Sequence, residues 1–88
     1  MSFANAQIEY PARWHGRVIV VAEHAETVAA NLRQTLLAFG VPQPPVRGNP
    51  SRNGTYVTFA VQAVMRDAAM MAGLPEALAR IEGVRMLL

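Results

Sequence analysis

Few side chains in this sequence can do acid–base or nucleophilic chemistry, and they lie apart. His15 and His24 flank the run Gly16–Glu23. Along an extended chain they stand roughly 30 Å apart, so they cannot share a metal ion within one monomer. Five of the six carboxylates, Glu23, Glu26, Asp67, Glu76 and Glu82, are scattered, with no acid/base pair among them. Ser2 and Ser51 are the only serines, and spacing gives neither of them a base. There is no cysteine, which removes disulfides, thiol nucleophiles and thiolate metal sites together. No phosphate-binding loop, dinucleotide fingerprint or calcium loop is present. The expectation is a protein that is not an enzyme, with no cofactor and no resident metal.

A binding site is easier to assemble. The stretch "NPSRNGTYVTFAV", residues 49–61, joins an arginine-bearing turn to an alternating strand. Arg47 and Arg52 offer guanidinium groups, and Ser51 and Asn53 add short polar side chains. His24 lies just before a helix whose free N–H groups favour anions. If the turn and the helix start lie at one end of the fold, Arg47, Ser51, Arg52, Asn53, Gly54 and His24 form a candidate pocket for a carboxylate or phosphate. The same residues also make an ordinary hairpin corner, because Asn-Gly tolerates the positive φ of a tight turn.

The elements that would position these groups follow from periodicity. Residues 1–12 show no period and read as a loose N-terminal arm, with a single domain over 13–88. "WHGRVIVVAEH", from Trp14, is a strand, and Val18–Ala22 is apolar without alternation, as in a central strand covered on both faces. "AETVAANLRQTLLAFG" sets Val28, Leu32, Leu36 and Phe39 on one helical face, and Gly40 and Pro42 stop it. The Pro-rich "VPQPPVRGN" allows only a short edge strand. "TYVTFAVQAVM" then alternates: Val57, Phe59, Val61, Ala63 and Met65 share one face, and Tyr56, Thr58, Ala60, Gln62 and Val64 the other.

Asp67 is placed to cap a second helix bearing Met70, Met71, Leu74, Leu78 and Ile81. Gly73 and Pro75 interrupt it, so a kink or two short helices are expected, with Gly83 as the end. "VRMLL" is a last strand. Strand, helix, strand, strand, helix, strand is the order of an α+β, ferredoxin-like βαββαβ sandwich. Its four-stranded antiparallel sheet has order 4-1-3-2, with two helices on one face. The methionines from Met65 onward fall in apolar stretches and serve packing.

With these elements in place, "VRGNPSRNGTYVTFAV" followed by "LPEALARIEGVRMLL" resembles the YbeD-like family of small uncharacterised bacterial proteins. The matching positions are Arg47, Ser51, Gly54, Tyr56, Asp67, Leu78, Val84, Arg85 and Leu88. The family is similar to ACT-type regulatory domains, ferredoxin-like modules that bind amino acids or other small metabolites, often across dimer interfaces. The resemblance implies a non-catalytic regulatory or interaction domain.

Formal charge is +2, and arginine supplies every one of the eight basic side chains. That bias is too small to imply nucleic acid unless it clusters. The 52 % hydrophobic content suits a core, and no apolar run approaches the roughly 20 residues that span a bilayer. The N-terminus lacks the pattern of a signal peptide, so a cytoplasmic protein with no membrane partner is expected.

The sheet face away from the helices keeps apolar residues, which marks an interaction face formed by Tyr56, Thr58, Ala60 and Gln62. Expected partners are a small anionic ligand, a second copy or another protein. The alternative is an RNA-binding domain that reads bases through Tyr56. Against it, the strand 3 position expected to stack is Gly54, and strand 1 has no aromatic partner on that face.

Overall fold

The computed structural model describes residues 8–88. Strand β1 (Ala12–Val21) leads through a 3₁₀ turn (Ala22–His24) into helix α1 (Ala25–Ala38). Strands β2 (Val46–Pro50) and β3 (Tyr56–Met65), helix α2 (Ala68–Ala79) and strand β4 (Val84–Leu87) follow. The sheet order is β2-β3-β1-β4, with every neighbouring pair antiparallel. This is the ferredoxin-like α+β sandwich expected from the sequence. Residues 1–7 of the expected N-terminal arm lie outside the described residues. Ala12, assigned to that arm, is instead the first residue of β1, because its backbone is held opposite Met65.

The core lies between one sheet face and the two helices. Val18 and Val20 of β1, the five alternating residues of β3, Val28, Leu32 and Leu36 of α1, and Met70, Leu74 and Leu78 of α2 are all buried. The unbroken apolar run of β1 pointed to cover on both faces. The structure covers one: Ile19 and Val21 are only half-buried on the face that carries no helix. The β-branched run serves a central strand whose reverse side is left open.

Backbone chemistry explains most boundaries. Helix α1 has no side-chain N-cap; the preceding 3₁₀ turn feeds it, with Ala25 N–H donating to Ala22 O. It ends in a Schellman motif. Gly40 takes φ 81°, its N–H donates to Leu37 O at 2.9 Å, and Val41 N–H donates to Leu36 O at 2.8 Å. The Arg66 guanidinium adds a donor to Phe39 O at 2.9 Å.

Helix α2 begins as expected: Asp67 Oδ1 accepts from Met70 N–H at 2.8 Å. Of the two arrangements expected at Gly73–Pro75, a kink or two short helices, the split does not occur: α2 runs through Pro75 as one helix. Met70, Leu74 and Leu78, one turn apart, are all buried against the sheet, and this packing holds the axis together across the missing N–H. The helix also stops at Ala79, before Gly83. Ile81 N–H turns back to Leu78 O, and Gly83, at φ 95°, serves the corner into β4. No helix among the described residues is long and apolar enough to cross a membrane.

Candidate functional site

The helix-free sheet face is built by register. In an antiparallel pair, residues directly opposite each other point to the same side. Tyr56, Thr58, Ala60, Gln62 and Val64 of β3 therefore share this face with Val21, Ile19, Arg17, His15 and Arg13 of β1. Met86 of β4 joins them opposite Ile19, and Val46 of β2 joins opposite Ala60. A bulge in β4 between its pairings with Val20 and Ile19 leaves Arg85 without a partner residue. Its guanidinium carbon lies 6.0 Å from the centroid of the Tyr56 ring, which places it on the same face.

Two properties set this face apart. It is apolar and wet: Val46 is 64 % exposed, and Val64 and Met86 are each 52 % exposed. It is also one-signed. None of the four strands contains Asp or Glu, while Arg13, Arg17 and Arg85 stand on this face beside His15. The carboxylate side chains sit on the segment before β1 (Glu9), the 3₁₀ turn, the helices and the connecting segments. Among the described residues the one salt bridge is Arg80 to Glu76, at 3.0 Å on α2. Two adjoining hollows mark the basic end. One of about 490 Å³ is lined by His15, Arg17, Ala60, Gln62 and Leu88, and one of about 140 Å³ by Arg13, His15, Gln43 and Gln62.

The hairpin end is built differently. Ser51, Arg52, Asn53 and Gly54 form a tight turn, with Gly54 N–H donating to Ser51 O at 2.9 Å and Gly54 at φ 75°. Ser51 is used structurally. Its N–H donates to Tyr56 O at 2.7 Å, and its Oγ accepts from Tyr56 N–H at 3.1 Å. Arg47 stands opposite Phe59, on the helix side of the sheet edge, and Arg47, Arg52 and Asn53 are all exposed. Ala22 N–H donates to Thr55 O at 2.8 Å, so hairpin and helix start do share one end of the fold. His24, however, lines a separate hollow of about 430 Å³ with Thr27, Asn31, Glu82 and Gly83. No hairpin residue lines that hollow, and Glu82 gives it a carboxylate.

The four residues named for the interaction face, Tyr56, Thr58, Ala60 and Gln62, thus share one surface. Arg13, His15 and Arg17 belong to it as well, and they were not named. Their signal was present in "ARWHGRV", where basic side chains occupy every second position. Arg85 carried a weaker signal, because β4 is short and its bulge puts both Arg85 and Met86 on this face, where simple alternation would put one. Among the described residues, no three His, Asp or Glu side chains cluster to hold a metal ion.

The comparisons with known proteins agree with this fold. A family model described as "Protein of unknown function (DUF493)" matches residues 5–88. No curated protein matches the chain. Among solved structures it is similar to the solution structure of protein HP0495 from H. pylori, with a TM-score of 0.78 and 21 % identity. That likeness covers 93 % of this chain and 86 % of the other. At such identity it carries the architecture alone.

Proposed function

The chain belongs to the DUF493, YbeD-like family, and from that premise we propose that it is a non-catalytic interaction module that binds through its helix-free sheet face. The observation that carries this reading is the half-exposed aliphatic set Val46, Val64 and Met86 on a sheet side that no helix of the described residues covers. Contiguous apolar surface beyond a few hundred Å² on a soluble domain usually marks a docking site. The resemblance to ACT-type domains supports a regulatory role for the contact. A small anionic metabolite at the hairpin is the narrower reading. It rests on Arg47 and Arg52, two exposed arginines with no carboxylate within salt-bridge distance.

Two variants separate the readings. Val64→Asp/Met86→Asp spoils the sheet face, and Arg47→Ala/Arg52→Ala strips the hairpin; circular dichroism checks that both fold. The expected result is that proteins co-purifying with the wild type are lost with the first variant and kept with the second. Retention by the face variant, with loss of partners or of a bound metabolite from the hairpin variant, would transfer the site to the hairpin.

A further inference from the structure

We propose, resting on the interaction reading above, that the occupant of the open sheet face is an acidic protein segment. Its apolar side chains would seat over Ile19, Val21 and Met86, and its carboxylates over Arg13, His15 and Arg17. The face is divided along β1. Its first half presents Arg13, His15 and Arg17, with Val64 opposite Arg13; its second half presents Ile19 and Val21, with Met86 beside Ile19 and Arg85 at Tyr56, opposite Val21. At about 3.3 Å per residue, Arg13 and Ile19 stand roughly 20 Å apart along the strand. The ligand therefore has a direction. Its aliphatic anchors and its acidic stretch are separated along its own length by up to that distance.

Charge selects the partner. None of the four strands contains Asp or Glu, and among the described residues no carboxylate lies within salt-bridge distance of the arginines on this face. A second copy docked face to face brings no Asp or Glu on its own strands, so it leaves Arg13, Arg17 and Arg85 without counter-charge and sets two basic faces together, which suppresses pairing. An acidic segment supplies what is missing.

Nucleic acid is also anionic, but the apolar part of the face does not suit it. Binding of single strands relies on exposed aromatic faces for stacking. Among the described residues Tyr56 is the only aromatic on this face, and the Arg85 guanidinium carbon stands 6.0 Å from its ring centroid. Trp14 and Phe59 belong to the helix side, opposite Ala63 and Val18. The rest of the surface is aliphatic, which fits protein side chains.

The test uses the whole chain as bait for a random peptide display library, with an Arg13→Glu/Arg17→Glu variant and an unrelated ferredoxin-like domain as controls. Recovered peptides are expected to be enriched in Asp and Glu together with Leu, Ile or Phe. They should shift the amide resonances of residues 13–21 and 84–87, and bind the folded variant at least ten-fold more weakly. Peptides that map to this face without acidic enrichment, or that keep their affinity for the variant, would overturn the acidic partner and leave the interaction reading standing. Peptides that map to the hairpin, or no enrichment beyond the control domain, would overturn both. The proposal also falls if random-sequence single-stranded RNA displaces the peptides at physiological salt, or if a sedimenting dimer blocks them.

Discussion

The guanidinium of Arg85 and the ring of Tyr56 meet on the open sheet face, 6.0 Å from carbon to centroid, although β1 separates their strands. A long side chain on β4 reaches over the central strand to an aromatic on β3. A cation–π contact at such an exposed position contributes about 0.5–1 kcal/mol. Its larger consequence is competition, since a base stacking on that side of Tyr56 would have to displace Arg85.

Arg85→Ala should therefore cost no more than about 1 kcal/mol in urea denaturation. Any residual affinity for single-stranded RNA should be weak, salt-sensitive and unchanged by Tyr56→Ala. A stacked base is worth about 1–3 kcal/mol, so a real stacking site would lose at least several-fold on that substitution. Fluorescence anisotropy with a labelled oligonucleotide at two salt concentrations separates the cases.

Gly83 and Val28 form a second tight pair. A methyl carbon on Gly83 would fall 2.5 Å from Val28 Cγ2, and Val28 is 1 % exposed and β-branched, so it has little room to turn away. Gly83 also sits at φ 95°, where an L side chain is strained by about 1–3 kcal/mol. Gly83→Ala should cost roughly 3 kcal/mol once the clash is added to that strain. The same substitution in a Val28→Ala background should cost measurably less, because the obstructing methyl is gone. A double-mutant cycle by denaturant titration reads this coupling directly. Equal costs in the two backgrounds would mean that backbone strain alone makes glycine necessary here.

The cap of α2 gives a more local test. Asp67 Oδ1 satisfies Met70 N–H, one of the free donors of the first turn. Asp67→Ala should destabilise the domain by about 1 kcal/mol, and Asp67→Asn, which keeps an acceptor, by less. Thermal denaturation of the three proteins side by side gives the order. An unchanged midpoint in Asp67→Ala would show that water replaces the cap at no net cost.

The features visible in the sequence are those set by near neighbours. Alternation in residues 56–65 gives both faces of β3, and Gly40 followed by an apolar residue gives the Schellman end of α1. Asp67 three residues before Met70 gives the cap of α2. The features that were hidden depend on distant partners. Arg85 and Met86 come to the same open face because β4 bulges against β1, far earlier in the chain. His24 faces Glu82 across a hollow formed when the α2–β4 corner comes to rest beside α1. The basic alternation of Arg13, His15 and Arg17 is local and visible. It gains meaning only when the uncovered side of β1 is known to be theirs.

Helix α2 is the case in which local chemistry and packing disagree, and Pro75 measures the difference. Proline has no N–H to give Met71 O, and its ring crowds that same carbonyl, at a cost of about 3 kcal/mol in a helix interior. The helix continues nonetheless, because Met70, Leu74 and Leu78 bury one continuous stripe. Pro75→Ala restores the donor and removes the crowding, while the looser unfolded chain returns about 0.4–1 kcal/mol of the gain. The expected net stabilisation is roughly 2 kcal/mol. At about 4–8 °C per kcal/mol for a domain of this size, Tm should rise by roughly 10 °C. A fall in Tm would mean that α2 needs a bend at Pro75 to set Leu78 against the core, so that the proline contributes shape to the packing that tolerates it.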